Sequence, residues 1–225
     1  MKILSAVPRQ DFDIYVARPE TMWCERERDD SLESLYERGY LPYSGAVGVD
    51  NIFYSARSAR VVLSKFEPTS ENRRIAKKFD GQFTKEVLSG PPKEDAVDFC
   101  LTYFAQKHGE RAMPRERLAQ VFKSVTTTTI YRSSSSSTVA YVLEVAEDKM
   151  AHYWFSFYDL AYARQSLGLW LMLDAIRGAK DRGLEYYYLG TVYGEKALYK
   201  TNFSPLQWWS GESWSNDIRA LKELA

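Results

Sequence analysis

Three groups of residues in this chain have types and spacings that could do chemistry. The first lies in "FYDLAYARQSLGLWLMLDAI", residues 157–176. There a carboxylate, Asp159, follows an aromatic run, and Gln165, Ser166 and Gly168 form a polar turn that leads into an apolar helix. A polar, glycine-bearing turn at a helix start offers backbone N–H groups to an anion. The second group is Lys196, Tyr199 and Lys200 in "EKALYKTNF". Lysines four apart share one face of an α-helix, here with a tyrosine beside them. The third runs from Arg57 to Lys78 and sets Arg57, Arg60, Lys65, Arg73, Arg74, Lys77 and Lys78 against Glu67 and Glu71. Each group also has a plainer reading: Asp159 as a turn cap, the lysines as a surface helix, the basic run as a solvated face. His108 and His152 have no partner at a useful spacing and read as structural.

Composition narrows the classes. Lys+Arg and Asp+Glu both number 30, so any attraction for nucleic acid must come from a local patch rather than the whole surface. Cys24 and Cys100 make neither a zinc spacing nor a disulfide framework, which suits a reduced, cytoplasmic chain without metal. "MKILSAVPRQDFDIY" meets Pro8 and charged residues too early for a signal peptide, and Asp159 breaks the most apolar run, so no membrane segment is expected. The 16 Tyr, 11 Phe and 6 Trp fit a tyrosine-heavy core, or stacking on a base.

The elements that must position these groups can be read in order. A strand and then a loop, "YVARPE", occupy residues 1–20. "SLESLYERGY" reads as a short helix stopped at Gly39, "ARVVLSKF" as a strand, and "PTSENRRIAKKF" as a basic helix capped by Thr69 or Ser70. "LSGPPKEDA" is the clearest break and places a lobe boundary between residues 89 and 90. Beyond it come the helices "EDAVDFCLTYFAQKHG" and "PRERLAQVFKSV", a Thr-rich strand and a Ser133–Ser137 loop. A hairpin of "TVAYVLEVA" and "MAHYWFSFYD" follows, then the helix from Ser166 to about Lys180, the strand "LEYYYLG", the short helix "EKALYKTNF", and a last strand and turn in "PLQWWSGESW". A hairpin followed by a strand–helix–strand crossover predicts a mixed sheet.

Strand, polar turn and helix in this order resemble the central unit of the GNAT acyltransferases. Their turn has the form Arg/Gln-x-x-Gly-x-Gly/Ala. Gln165 and Gly168 fit it, but Trp170 stands where a small residue lies close to the pyrophosphate of acetyl-CoA. That departure argues against coenzyme A. A more specific resemblance is carried by Tyr158-Asp159, Ser166-Leu167-Gly168, Tyr188-Leu189-Gly190 and the series Lys196, Tyr199, Lys200, Phe203, Pro205. In order and spacing these are similar to the arginyl-tRNA–protein transferase family, which includes bacterial leucyl-transferring relatives. "RGYLPYSG" and "RVVLSKFEPTSENRR" resemble N-terminal segments of the same family, so the likeness covers most of residues 22 to 215. The family's cysteine-rich stretch is absent from "IFYSARSAR", and "YLPYSG" lacks two family arginines, so no metal centre is carried over.

The resemblance implies a mixed α/β, GNAT-like acyltransferase fold, with an N-terminal lobe over 1–89 packed on a transferase domain over 90–225. It implies transfer of arginine or leucine from aminoacyl-tRNA to the N-terminal α-amine of a protein, the N-end rule reaction, with no cofactor. The partners are then aminoacyl-tRNA and a protein or peptide N-terminus, and the enzyme is a cytoplasmic monomer. Asp159 and Gln165 take catalytic roles in this reading. Arg57, Arg60, Arg73, Arg74, Ser166, Gly168, Lys196, Tyr199 and Lys200 hold the aminoacyl-tRNA, while Tyr43, Ser44 and Tyr158 hold the acceptor. The alternatives are an acyl-CoA-dependent N-acetyltransferase and a non-catalytic relative that binds tRNA or protein N-termini.

Overall fold

A computed structural model describes residues 1–11 and 21–224; the "YVARPE" segment lies outside them. In chain order the described elements are β1 (Lys2–Leu4), β2 (Trp23–Glu25), α1 (Leu32–Glu37), β3 (Tyr40–Pro42), β4 (Ile52–Ser55), β5 (Ser58–Val62), α2 (Ser70–Phe79) and β6 (Thr84–Ser89). They continue as α3 (Ala96–His108), α4 (Arg115–Lys123), β7 (Thr127–Arg132), β8 (Thr138–Glu147), β9 (Met150–Tyr158), α5 (Leu167–Asp181), β10 (Tyr186–Thr191), β11 (Leu206–Trp209), β12 (Trp214–Ser215) and α6 (Ile218–Glu223).

The strands form two sheets. A small antiparallel sheet has the order β1-β2-β4-β3, and a large one the order β12-β11-β5-β10-β9-β8-β7-β6. The large sheet is mixed, as expected: β10 runs parallel to β9, and α5 makes the crossover between them. The expected boundary at 89/90 falls between β6 and α3, yet β5 and β6 are already strands of the large sheet. Hydrogen bonding in the sheet ties residues 58–62 and 84–89 to the later strands more firmly than the Gly-Pro-Pro break separates them. Only residues up to Ser55 belong to the small sheet.

The small sheet and α1 seat on the large one through a shared apolar cluster. Leu35, Tyr36, Leu41 and Phe53 meet Val145, Met150 and Tyr188 there. The main cluster lies under α2 and α5. Capping explains why α2 starts where it does: Thr69 Oγ1 accepts from the Asn72 backbone N–H, and the Asn72 side chain accepts from the Thr69 N–H. Trp170 belongs to this interior. It is buried, packs against Phe79, Phe83 and Tyr131, and donates its indole N–H to Asp80 Oδ1 at 2.9 Å. It therefore does not obstruct the polar turn, because its position in α5 turns the ring toward α2 and the sheet rather than the helix start. Among the described residues, no helix is long and apolar enough to cross a membrane.

Candidate functional site

Strands β9 and β10 pair only over Met150–His152 and Tyr186–Tyr188 and then part. Two features open this fork. In β10, Gly190 has φ 77°, and the pairing with β5 shifts register between Tyr188 and Gly190. A side chain at Gly190 would be strained and would come within 3.3 Å of His152 Nε2, so glycine is required there. In β9, Leu143 faces Phe155 but Glu144 faces Tyr153, which leaves Trp154 as an extra residue. Tyr153 and Ser156, three apart, would point to opposite faces of a regular strand; the bulge brings both to the same cleft.

The cleft has two compartments. The fork cavity, about 310 Å³, is lined by Ser44, Arg117, His152, Gly190, Tyr199 and Lys200 among others. The slot at the start of α5, about 280 Å³, is lined by Tyr103, Lys107, Tyr158, Ser166, Gly168 and neighbours. Tyr153, Ser156, Met172 and Tyr199 line both, so the two share a wall. Among the described residues, neither compartment has an Asp or Glu in its lining, while each has a cation.

Lys200 is the buried cation of the fork cavity. Its Nζ donates to the Thr191 carbonyl at 2.6 Å, and burial lowers its pKa to about 8. Arg117 is also buried and donates to the Ala112 carbonyl at 2.8 Å. His152 lies between the lobes. Its Nδ1 and the Tyr36 hydroxyl hydrogen-bond at 2.8 Å, and burial, with the nearby Lys200 charge, brings it down to about 3, so it is neutral at pH 7. At the slot, Lys107 Nζ donates to the hydroxyls of Tyr103 and Tyr158 and lies over both rings, 4.8 and 4.7 Å from their centroids. The Tyr158 ring also covers the turn: a Cβ on Gly168 would meet it at 3.0 Å. Ser166 takes a left-handed conformation, φ 67°, at the start of α5.

Several predicted site residues are brought together here: Ser44, Tyr158, Ser166, Gly168, Tyr199 and Lys200. Others are not. Asp159 is exposed, lines neither compartment, and accepts from the Ala161 N–H at 2.9 Å as the cap of the 3₁₀ turn Leu160–Gln165. Gln165 ends that turn, exposed and outside both linings. Tyr43 is buried in the small lobe, edge-on to Trp23, and donates to the Arg9 carbonyl. Lys196 and Lys200 do not share a face. The segment Glu195–Asn202 is 3₁₀, where residues three apart rather than four eclipse, so Lys196 is exposed while Lys200 is buried.

The basic run is dispersed as well. Arg60 is buried between Tyr186 and Trp214, 3.8 and 4.1 Å from their ring centroids, and bonds Glu37, Gln207 and the Tyr188 hydroxyl. It joins the lobes and presents no free face to a phosphate. Arg57 donates to the Leu224 carbonyl and borders a separate cavity. Arg74 is paired twice with Glu71, and Arg73 bonds the Pro68 carbonyl, both on exposed α2. Cys24 and Cys100 are buried free thiols. Sequence reasoning missed Tyr153, Ser156, Arg117 and Lys107, and set His152 aside. Only the odd spacing of Tyr153 and Ser156 around a bulge could have linked the first two.

Comparison with known proteins bears on this geometry. The family described as acetyltransferase (GNAT) domain matches residues 93–201, and the fold is the GNAT acyltransferase fold. Aspartate/glutamate leucyltransferase of Cereibacter sphaeroides is 27% identical over 173 residues, covering 71% of this chain and 61% of the relative. The enzyme of the same name from Parvibaculum lavamentivorans is 31% identical over 170 residues, covering 70% of this chain and 68% of the relative. The match thus spans only about three fifths of the length of the Cereibacter relative. Among solved structures the chain is similar to L-PGS from Bacillus licheniformis, with 15% identity, a TM-score of 0.48, and 73% and 52% of the two chains covered. By its likeness to the Parvibaculum enzyme, the chain belongs to the family of the bacterial aspartate/glutamate leucyltransferases.

Proposed function

We propose that this chain transfers a leucyl group from leucyl-tRNA to the N-terminal α-amine of proteins that begin with Asp or Glu. One observation carries the reading: the fork cavity holds a buried cation, Lys200, and among the described residues has no carboxylate in its lining. A buried ammonium without an acidic neighbour is unfavourable until an anion joins it. The acidic side chain of an acceptor N-terminus supplies that anion, and binding it would hold Lys200 in its charged form. The names of the relatives point to the same acceptors and the same acyl group. Between leucine and arginine, the mainly aromatic and apolar walls at Leu41, Phe155, Met172 and Leu189 favour leucine.

The reaction needs little beyond placement. The acceptor amine attacks the ester carbonyl carbon, the C–N bond forms, the bond to the ribose oxygen breaks, and the nitrogen's proton ends on that oxygen. An activated ester needs neither ATP nor metal. The protein acts as a monomer in the cytoplasm, where charged tRNA is found, and modification of such N-termini feeds the N-end rule pathway. Tyr158 over Gly168, rather than Trp170, would keep the pyrophosphate of coenzyme A from the turn.

The test is a transfer assay with labelled leucyl-tRNA, arginyl-tRNA and acetyl-CoA as donors, and peptides beginning with Asp, Glu, Asn or Ala. Leucine incorporated into the Asp and Glu peptides is the expected result. Acetyl transfer, with no transfer from either tRNA, would establish the acetyltransferase instead.

A further inference from the structure

We infer that the slot at the start of α5 holds the 3′-terminal nucleotide of the donor, with Lys107 on its 5′-phosphate and the Tyr199 ring under its base. The inference deepens the transferase reading and rests on it for the identity of the donor. The slot's own preference for an aromatic anion rests on geometry alone.

Lys107 is the first observation. Among the described residues it is the only charged one lining the slot, and it donates to two phenol oxygens, those of Tyr103 and Tyr158. Phenols orient an ammonium without neutralising it, and the ring faces 4.8 and 4.7 Å below hold it in place. A lysine fixed in this way on the last turn of a 13-residue helix is a positioned point charge with donor capacity remaining. Tyr199 is the second observation. It is 44% exposed although it lines both compartments, so its ring is an uncovered aromatic surface inside a cleft. Base stacking on such a ring tolerates any base, and the phosphate contact adds charge. Compartment order is the third. The slot shares the Tyr153–Ser156–Met172–Tyr199 wall with the fork cavity, so an acyl group on the ribose of a nucleotide seated in the slot would enter the fork beside Lys200.

Equilibrium dialysis with AMP and with adenosine tests the slot directly. Wild type should bind AMP about tenfold more tightly than adenosine, and Lys107→Met should remove that difference. Lys107→Arg, which restores the charge, should keep most of it, and exposed Tyr199→Ala should weaken both ligands alike. Equal binding of AMP and adenosine by the wild type, no binding of either, or AMP binding unchanged in Lys107→Met would overturn the proposal. Competition identifies the source of the nucleotide. Intact tRNA should displace AMP, and tRNA lacking its terminal adenosine should do so about tenfold less well. Displacement by coenzyme A alone would give the slot to another donor and defeat the assignment. AMP binding as expected, with no leucyl transfer in the peptide assay, would defeat the transferase reading and leave the nucleotide slot standing.

Discussion

Two regions of this molecule carry conspicuous cations and use them in opposite ways. From Arg57 to Arg74 the arginines are numerous but already engaged. Arg60 is held by Glu37, Gln207 and two ring faces, Arg74 by Glu71, Arg73 by a carbonyl, and Arg57 by the Leu224 carbonyl. In the cleft the charges are few, yet Lys200 and Lys107 stand in linings that, among the described residues, hold no carboxylate. The number of cations in a segment says little about binding. What matters is whether the fold also supplies their counter-charges, and that depends on residues far away in sequence.

The largest expected effect breaks this contrast at its sharpest point. Lys200→Met should lower kcat/KM for an Asp-initiated peptide by about 10²-fold or more, the scale of removing one partner from a buried charge pair. The same change should leave stability intact or raise it near neutral pH. The sign follows from linkage. The folded-state pKa of about 8 lies below the ordinary lysine value, so the unfolded chain binds more protons between about 8 and 10.5. Wild-type stability should therefore rise with pH through that window, and the Met variant should lack the rise. Denaturant titrations at several pH values, alongside transfer kinetics, check both halves.

Arg60→Ala should do the reverse. It should cost about 2–3 kcal/mol of stability through lost hydrogen bonds and ring contacts, because it removes a buried, fully partnered side chain. The salt dependence of tRNA binding should stay as it is, since Arg60 faces no solvent. A reduced salt slope in the folded variant would return Arg60 to the tRNA surface.

A smaller effect concerns His152. Its folded pKa near 3 lies below the usual 6.5, so acid favours the unfolded chain, and stability should fall as pH drops below about 6.5. The contribution lost between pH 6.5 and 5 is about 1.5 kcal/mol. His152→Gln should flatten the curve there relative to wild type, whatever its baseline stability.

The smallest effect is that of Asp159→Asn. Its carboxylate caps a turn, and Asn caps nearly as well, so single-turnover rates should stay within about twofold of wild type. A fall of about 10²-fold would restore Asp159 as an acid–base group and show that the turn rearranges when substrate binds.

Much of the framework was legible in the sequence. Capping residues and turn glycines marked α1 and α2, and the hairpin and crossover gave the mixed sheet. The Ser166–Gly168 turn and the Tyr188-Leu189-Gly190 strand end proved to be the two sides of the cleft. What could not be read was tertiary. Arg60 looks like a phosphate ligand until Tyr186 and Trp214 close over it from well over a hundred residues away. Lys196 and Lys200 look alike until the helix type is known. Trp170 looks like an obstacle in the turn until α2 supplies Asp80 and Phe79.

The extra residue at Trp154 has a consequence of its own. A strand without it keeps one phase from end to end, so a substitution that alters the inward row is felt along its whole length. With the phase reset in its middle, β9 behaves as two strands in series: Met150–His152 is bound to β10, and Ser156–Tyr158 is released from it. Selection can then vary the outer half for different acyl donors or acceptors while the inner half keeps the sheet in register. Deleting Trp154 would put Tyr153 and Ser156 two apart, on one face of a regular strand with the pairing to Leu143 and Val142 kept, and would remove the bulge that bends Ser156–Tyr158 away from β10.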